Sequence, residues 1–597
     1  MRFLKKLLLT LLLLPIILAI VLYIVLQTSF SARWLSLWVS DTTDYELSVG
    51  KIDHSLSSPL SLNLADVSLA KDNHPPALVV KKASLTFAFP HWNSLLRLRA
   101  LNLQEGSLDI NLENQRTHTD ILPATIEQLR LQDIALNITD KQRRITGTGV
   151  SAGISPWAPL DSNILGDTSQ FQLSAKTFNI DDLAAQNVLI KGAVKQGNLN
   201  LDTFGADIAQ GQLTGKAEQR PDGSWVIDNL RLSHIRWQTA QSLDSFWEQF
   251  SQFPNLSVQN FDLIDAKLEG PDWSFNELDL SLKNTQFQRG KWLAHDGSLN
   301  LNAVTLITKN ISLNDPIVKL ELSDNELKIK QLTTRWEGGM LRVNGSWLRD
   351  RQELKLDEVA IAALEYTLPA DWRSYWQESL PEWLTTLSIG KLTANRNLII
   401  DTNPDFPFQM TQLDSYGKNL VLVKNRRLGV WNGELTLNAS DATFNKIDVR
   451  RPSIKMSADG TQLTVSDLSA LTNPGLIEAK ATLSLLNNQP FTLSMTGQST
   501  PFSVMKAWGW DAALLNGNGG MTLNLKGEVA AAAPITQTVE GTLHMSIDGI
   551  QKNQTMHNGV VDAEAPSEMP QPVQPDVPPT APMEKPPARS PDIPDFL

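Results

Sequence analysis

Three copies of one short pattern, far apart in the chain, constrain its fold more than any other feature. The copies lie at residues 211–217, 339–345 and 475–481, and each alternates small or apolar residues with polar ones. A short aromatic segment with helical spacing follows each copy. The residues that give it this spacing are Leu243, Phe246, Trp247 and Phe250 in the first, Trp372, Tyr375 and Trp376 in the second, and Phe502, Met505 and Trp508 in the third. A recurring unit of strand, return strand and amphipathic helix predicts a modular β structure.

The predicted helices are too few to cover the apolar face of so much sheet. Beyond the N-terminal region we expect them only near residues 242–253, 371–387 and 501–509, and Pro381 interrupts the second. A sheet with one apolar and one polar face must cover itself, as a sandwich or barrel, or leave an apolar groove. The sequence therefore predicts a mostly β fold, with both arrangements open at this point.

Strand alternation supplies the candidate groove residues. The apolar positions that we expect on the inner face are Leu62, Leu64, Leu101, Leu103, Leu129, Leu131, Leu136, Leu523 and Leu525. The alternation slips once between Leu103 and Leu108, and again between Leu131 and Ile134. Because a one-residue slip marks a β-bulge or tight turn, these sites predict strong twist or curl.

The N-terminus carries a long apolar run at residues 7–26, preceded by Arg2, Lys5 and Lys6. A helix of this length crosses the roughly 30 Å hydrocarbon core of a bilayer, and the run is longer than the apolar core of a typical signal peptide. We expect an uncleaved anchor with its basic flank in the cytoplasm and the rest of the chain across the membrane. The alternative is a signal peptide cleaved near residues 29–31.

Tryptophan is favoured where an apolar body meets a wet edge, as at membrane interfaces and sheet rims. Trp34 and Trp38 follow the anchor with partly helical spacing. They fit either a helix at the membrane surface or a helix that caps the end of the first sheet. The predicted membrane or rim aromatics are Trp34, Trp38, Phe246, Trp247, Trp372, Trp376 and Trp508.

Composition excludes several classes of function. A net charge of -12 without clustered basic residues disfavours nucleic acid as a partner. The absence of cysteine excludes disulfides, thiolate catalysis and cysteine-ligated metals. The eight histidines show no metal-binding spacing, so we expect no metal and no cofactor.

One apparent catalytic motif is rejected. Residues 149–153 match the Gly-x-Ser-x-Gly pattern around Ser151, which requires a strand before the serine and a helix after it. Pro156 and Pro159 prevent that helix. We therefore expect no enzyme, and a hydrolase assembled from distant residues is the weakest functional hypothesis.

The C-terminal end has a different composition. Eleven of the 32 prolines lie between residues 566 and 594, which predicts an extended, disordered tail. The expected divisions are an anchor at 1–28, a first β region at 29–200, repeated β units at 201–530, irregular terminal strands at 531–560 and the tail at 561–597.

Several segments resemble the AsmA family. They are the anchor with residues 34–50, residues 205–211, and above all residues 501–510 leading into 517–527. The resemblance covers residues 1–527 and implies a Gram-negative inner-membrane protein with a large periplasmic part. Relatives are associated with outer-membrane biogenesis, and the long ones with phospholipid transfer through a curled β-sheet lined by apolar side chains. The matching motifs are structural, so no functional residue is carried over.

Together these observations predict a non-enzymatic envelope protein whose apolar strand faces hold membrane phospholipid. Shielding acyl chains contributes roughly 25 cal/mol for each Å² of apolar surface removed from water. The alternative is a periplasmic scaffold that binds no lipid and recruits other envelope proteins through its aromatic helices or its tail.

Overall fold

The structure is a computed structural model that describes most of residues 18–562. The gaps fall at residues 19, 22, 26, 44, 56, 59, 72–74, 89–96, 112–125, 140–143, 160–164, 182, 252–254, 289–290, 295, 310, 377 and 530–533. Most of the predicted anchor and nearly all of the Pro-rich tail lie outside the described residues. Among the residues that are described, none of the helices combines the length and apolarity needed to cross a bilayer.

Helices are few, as predicted. Helix α1 spans Ser29–Thr42, α2 spans Leu243–Ser251 and α3 spans Ser503–Ala507. The helix expected over residues 371–387 is wrong, because the described residues of this segment form only one 3₁₀ turn, Ser374–Trp376. A second 3₁₀ turn covers Ile535–Gln537. Pro381 cannot continue a helix, and the next strand already begins at Thr386.

The fold is 70% strand, which confirms the mostly β class. The strands in chain order are β1 Tyr45–His54, β2 Ser61–Lys71, β3 Leu78–Phe87, β4 Leu98–Asn111, β5 Gln128–Thr139, β6 Arg144–Ser155, β7 Thr168–Ile180, β8 Leu183–Lys195, β9 Asn198–Ile208, β10 Gly211–Gln219, β11 Trp225–Ser233, β12 Arg236–Gln238, β13 Asn255–Glu269, β14 Trp273–Gln288, β15 Lys291–Leu293, β16 Gly297–Asn302, β17 Thr305–Thr308, β18 Ile311–Leu322, β19 Glu326–Trp336, β20 Gly339–Leu348, β21 Glu353–Ala362, β22 Glu365–Thr367, β23 Thr386–Asp401, β24 Phe408–Lys424, β25 Arg427–Asn438, β26 Asp441–Phe444, β27 Ile447–Asp459, β28 Gln462–Leu471, β29 Leu476–Ser484, β30 Pro490–Pro501, β31 Asn518–Glu528, β32 Glu540–Ile547, β33 Ile550–His557 and β34 Val560–Val561. Strands β32–β34 are regular, whereas the sequence predicted irregular ones.

All of these strands belong to one sheet in which each strand pairs with its near neighbours in the chain. Strand β1 pairs with β2 at one end, and β34 pairs with β33 at the other. Among the described residues no pair joins β1 to β34, so the sheet is an open band and not a closed barrel.

The expected antiparallel pairing is interrupted at three joints. Strand β4 runs parallel to β5, β11 and β12 run parallel to β13, and β21 and β22 run parallel to β23. A parallel neighbour requires the chain to return to the starting margin of the sheet, which a tight hairpin cannot do. A crossover segment therefore precedes each joint, and the sheet consists of four antiparallel blocks.

The third crossover, residues 368–385, spans the sheet from margin to margin. Because β24 runs from Phe408 to Lys424, these two residues mark opposite margins. Near the first margin, the Trp372 ring packs edge-on against Phe408 with centroids 6.3 Å apart. Near the second, Arg426 Nε donates a hydrogen bond to the Leu380 carbonyl at 2.6 Å.

Left-handed residues bend the long strands. Asp265 in β13 and Arg396 in β23 have φ of 47° and 53°, and the pairing register shifts beside each of them. The same kind of hydrogen bond stabilises each bend. The Asp265 N–H donates to Asp279 Oδ1 at 2.8 Å, and the Arg396 N–H donates to Asp414 Oδ1 at 2.8 Å. Such bulges increase the twist and curl of a sheet.

The predicted slips in the N-terminal strands coincide with bends of the same kind. Glu105 lies between Leu103 and Leu108 with φ of 52°, and Asp133 lies between Leu131 and Ile134 with φ of 54°. The register between β5 and β6 shifts beside Asp133. The bulge inferred between Leu131 and Ile134 is therefore confirmed. Between Leu103 and Leu108 the backbone has a left-handed residue, but the pairings of β4 with β3 and β5 keep one register across it.

The three sequence copies form β10, β20 and β29. At Gly211 an added Cβ would lie 2.2 Å from the Ser233 carbonyl oxygen, and at Gly339 it would lie 2.6 Å from Leu364. Glycine therefore recurs where neighbouring backbones approach closely. The third unit differs from the other two, because the strands on either side of α3, β30 and β31, pair antiparallel without a crossover.

Candidate apolar groove

Apolar residues form a continuous row across the strands from β1 to β24. Each residue lies directly opposite the next one on the neighbouring strand. The first row is Ile52, Leu64, Ala83, Leu103, Leu131, Ala152, Leu173, Ile190, Phe204, Gly215, Leu230, Phe261, Leu282, Leu299, Leu320, Ile329, Gly345, Leu356, Ile389 and Leu420.

A second row runs beside the first and continues to β34. It is Ala206, Leu213, Leu232, Leu263, Leu280, Leu301, Val318, Leu332, Val343, Val359, Leu392, Gly417, Leu435, Met456, Val465, Ala481, Leu493, Leu525, Gly541, Met556 and Val561. We call the two rows together the apolar strip. Neither row contains a charged or hydrogen-bonding side chain.

The middle of the apolar strip is only partly shielded from water. In the first row, the residues from Leu131 to Ile329 are half-buried. All described strands belong to one sheet, so no second sheet covers them. Their shielding comes from the curl, which brings neighbouring strands together. This arrangement is consistent with an apolar groove that has a wet outer face.

Helix α1 covers the N-terminal end of the strip. Ala32 is buried against the first strands together with Ile52 and Leu64. The Val49 N–H donates to Ser36 Oγ at 3.1 Å, and the Leu47 N–H donates to Ser40 Oγ at 3.3 Å. The helix therefore satisfies backbone donors of the edge strand β1, which would otherwise be free to pair with another chain.

The opposite face of α1 is apolar and open. Trp34 and Trp38 are 58% and 53% exposed, and their rings stack with centroids 6.4 Å apart. The interpretation of this helix as a cap is confirmed, whereas its contact with a membrane surface stays a prediction.

Residues 502–515, which we call the plug, pack on the apolar face of the C-terminal strands. Phe502 is 0% exposed and Trp510 is 4% exposed. Trp510 Nε1 donates to Gln554 Oε1 at 2.7 Å, and Gln554 Nε2 donates to the Ala513 carbonyl at 2.8 Å. A buried indole with its N–H satisfied is a stable way to fill an apolar space.

One glycine makes room for the plug. A Cβ on Gly519 would lie 2.6 Å from the Phe502 ring, whereas a Cβ on Gly541, a member of the second row, would be in ordinary contact with the Trp510 ring at 3.5 Å. On the other side, Trp508 Nε1 donates to the Phe444 carbonyl at 3.2 Å. The plug therefore reaches from β26 to β33 and packs beside the strip, whose residues Val465, Ala481, Leu493 and Leu525 stay half-buried there.

The predicted groove residues lie on one face of the sheet. Leu64, Leu103, Leu131 and Leu525 belong to the apolar strip, and Leu62, Leu101 and Leu129 follow a parallel row through Leu85. Leu136 pairs with Leu108 and Gly147. Leu523 is buried beneath the plug, so it is part of a packed core there.

The predicted rim aromatics lie in α1, at the margins and in the plug. Phe246 of α2 packs on Trp237 with ring centroids 6.1 Å apart, and Trp372 Nε1 donates to Asp401 Oδ2 at 3.2 Å. Trp376 is exposed, Trp508 is partly buried in the plug, and the side chain of Trp247 lies outside the described residues. The sequence analysis did not single out Trp510 as a site residue, although the glycines that face the plug indicated a close approach to these strands.

Charged groups lie on the opposite face of the sheet. Lys81 Nζ contacts Glu105 Oε2 at 2.9 Å, and this hydrogen bond raises the pKa of Lys81 and lowers the pKa of Glu105. A cavity of about 700 Å³ on that face includes Ser151, whose Oγ accepts a hydrogen bond from the Asp133 N–H at 3.2 Å. In the part of the chain that is described, no group of three His, Asp or Glu side chains could hold a metal ion.

No protein-family model matches the chain. No solved structure matches it either. The AsmA family protein YicH of Escherichia coli (strain K12) is 40% identical over 564 residues, which cover 94% of this chain and 98% of the relative. Identity of this extent over nearly the whole of both chains shows that the protein belongs to the AsmA family.

Proposed function

We propose that this protein holds phospholipid in its apolar groove and serves in lipid homeostasis and outer-membrane biogenesis of a Gram-negative envelope. It is anchored in the inner membrane by residues 7–26, and its sheet lies in the periplasm. The observation that supports this most directly is the uncharged apolar strip, which runs from β1 to β34 and whose first row is half-buried from Leu131 to Ile329. Acyl chains are the natural ligand of such a surface, because their burial removes apolar area from water on both partners.

The proposal needs no nucleotide, metal or covalent chemistry. Membership of the AsmA family is consistent with it, because the resemblance implies an envelope location for the family and phospholipid transfer for its long members. The direction of any transfer is then set by lipid gradients or by partner proteins.

The first test is mass spectrometry of phospholipid retained by residues 28–562, purified without detergent. We expect phospholipid in stoichiometric amount. A well-folded but lipid-free protein would contradict the proposal and favour the alternative, a periplasmic scaffold that recruits envelope proteins through exposed aromatics such as Trp376.

A matched pair of variants locates the lipid. Leu282→Lys places a charge in the middle of the strip, and Ser281→Lys places the same charge on the opposite face of the same strand. We expect Leu282→Lys to lose bound phospholipid and Ser281→Lys to keep it, with both proteins folded by circular dichroism. Equal lipid content in the two variants would contradict the groove as the lipid-binding site.

A further inference from the structure

Helix α1 has two apolar faces that point in opposite directions. On one face Ala32 is buried against the first strands, and Leu35 packs beside it. The opposite face is exposed to between 53% and 68%, and its apolar residues recur at helical spacing. They are Phe30, Trp34, Leu37 and Trp38. A surface helix of a globular protein normally carries only one apolar face, so the second face of α1 is a candidate interaction surface.

The apolar run that precedes α1 is helical up to a bend. Its described residues Leu18, Ile20, Val21, Ile24 and Val25 are helical and exposed. The residue directly before α1, at position 28, has an extended backbone with φ of -90° and ψ of 157°. One extended residue between two helical segments changes the direction of the chain. Helix α1 therefore does not continue the axis of the apolar run.

Both sides of this bend are attached to β1. The Tyr23 ring packs edge-on against the His54 ring with centroids 5.9 Å apart, and Gln27 Nε2 donates a hydrogen bond to the His54 carbonyl at 3.0 Å. Beyond the bend, the hydroxyls of α1 accept hydrogen bonds from the amides of Val49 and Leu47. The sheet therefore determines where α1 lies relative to the end of the apolar run.

A bilayer is the partner that position and composition favour. Only residues 27 and 28 separate the run from α1, so a bilayer that the run crosses lies next to this helix. Tryptophan is enriched at the boundary between headgroups and acyl chains, where its ring is buried and its N–H stays in contact with polar groups. Arg33 and Asp41 are the only charged residues of α1, which leaves few groups for ion pairs with a protein partner.

We propose that the exposed face of α1 binds the phospholipid surface of the membrane that residues 7–26 cross. Trp34 and Trp38 enter the boundary between headgroups and acyl chains, and Arg33 contacts lipid phosphate groups. Helix α1 then lies in the plane of the membrane surface, and β1, which it follows, runs parallel to that surface. The inference rests on the anchor of the proposed function, but it does not depend on lipid in the groove.

Spin labels at three positions of the full-length chain test the inference. The chain contains no cysteine, so each single-cysteine variant carries one label. Leu37→Cys labels the exposed face of α1, Val21→Cys labels the apolar run, and Trp376→Cys labels an exposed aromatic position at the margin of the sheet. The proteins are reconstituted in vesicles of phosphatidylethanolamine and phosphatidylglycerol. Electron paramagnetic resonance then measures how often each label collides with oxygen, which concentrates in the bilayer, and with a water-soluble nickel chelate.

We expect the labels of Leu37→Cys and Val21→Cys to collide severalfold less with the chelate, and more with oxygen, than the label of Trp376→Cys. Equal access of the chelate to the Leu37→Cys and Trp376→Cys labels would overturn the inference. A Leu37→Cys label that is shielded from both reagents would also overturn it, because a protein partner would then cover this face. Free access of the chelate to the Val21→Cys label would instead contradict the proposed anchor.

A double variant tests the contribution of the two tryptophans. Trp34→Gln with Trp38→Gln, made in the Leu37→Cys chain, replaces both rings by polar side chains that favour a helix. We expect access of the chelate to the label to rise severalfold. Hydrogen exchange of β1 should stay unchanged, since both indoles are exposed. Trp376→Gln is the matched control and should leave the label at its depth. An unchanged label after the loss of both tryptophans would overturn their role in membrane binding.

Discussion

The middle block, β13–β21, and the C-terminal end, β28–β34, are built from the same kind of unit but differ in where the aromatic segment lies. In the middle, an aromatic segment crosses from one margin to the other, and the following strand pairs in parallel. At the end, the equivalent segment returns to its own margin, the following strand pairs antiparallel, and the segment packs on Met521, Leu523 and Leu543. The path of one short connection therefore decides the direction in which the next strand pairs.

The composition of the two aromatic segments agrees with this difference. Helix α2 carries Asp244 and Glu248, and its Phe246 is 36% exposed. The plug presents Phe502, Met505 and Trp510, all buried. Acidic residues on α2 oppose burial, because a charged side chain is costly to bury unless it is paired.

The largest difference is expected for a charge placed in each interior. Leu543→Lys puts an ammonium group into a site that is 1% exposed, whereas Leu282→Lys puts one on the half-buried strip. We expect Leu543→Lys to unfold strands β31–β33, because burial of an unpaired charge costs several kcal/mol. Hydrogen exchange by mass spectrometry should show fast exchange there and normal protection in β13–β18. Similar damage from Leu282→Lys would mean that the middle is also a packed core.

Truncating one aromatic residue in each segment sharpens the comparison. Phe502→Ala should destabilise the C-terminal strands by about 3–5 kcal/mol, the usual cost for a buried phenylalanine. Phe246→Ala should cost about 1–2 kcal/mol, since part of that ring already contacts water. Urea dependence of hydrogen exchange in the adjacent strands measures both values. Equal losses would contradict the distinction between plug and crossover.

A smaller effect concerns the indole hydrogen bonds. Trp510→Phe leaves Gln554 Oε1 without a buried donor, with an expected loss of about 1–3 kcal/mol. Trp347→Phe removes a comparable bond to the Trp383 carbonyl at an exposed margin, where water replaces the donor. There we expect a loss below about 1 kcal/mol. Urea unfolding followed by tryptophan fluorescence compares the two, and a reversed order would place the tighter packing at the margin.

The smallest effect tests the N-terminal closure. Ser36→Ala removes the acceptor of the Val49 N–H, which is expected to cost about 0.5–1.5 kcal/mol. The Val49 amide should then exchange up to about tenfold faster, since 1.4 kcal/mol corresponds to a factor of ten. Unchanged exchange at Val49 would show that the rest of α1 shields this edge without the hydroxyl.

The sequence predicted the parts of the fold that depend on local pattern. The alternation predicted the strands and one apolar face, and its slips predicted the backbone bends at Glu105 and Asp133. The resemblance to the AsmA family predicted the curl of the sheet, and the relative that is 40% identical shows that the chain belongs to this family. The parallel joints could not be predicted, because strand alternation is the same for either direction of pairing.

The sequence also could not predict which part of the apolar face the plug covers. Leu523 and Leu282 have the same alternating context, yet one is buried beneath the plug and the other is half-exposed. What covers a strand face depends on where a distant segment lies, here on the contacts of residues 508 and 510 with Phe444 and Gln554. The periodicity of apolar residues along a strand does not reveal such contacts.

The contacts of Trp508 with Phe444 and of Trp510 with Gln554 also determine the order in which the strands fold. Elsewhere each strand needs only its neighbours in the chain, so strands can add one after another as the polypeptide is delivered, a favourable topology for rapid folding. Trp510, however, has no partner until Gln554 follows it in β33. The last described strands thus complete the core around Trp510, and a polypeptide that ends before them exposes an unpaired strand edge and apolar surface, which makes it prone to aggregation.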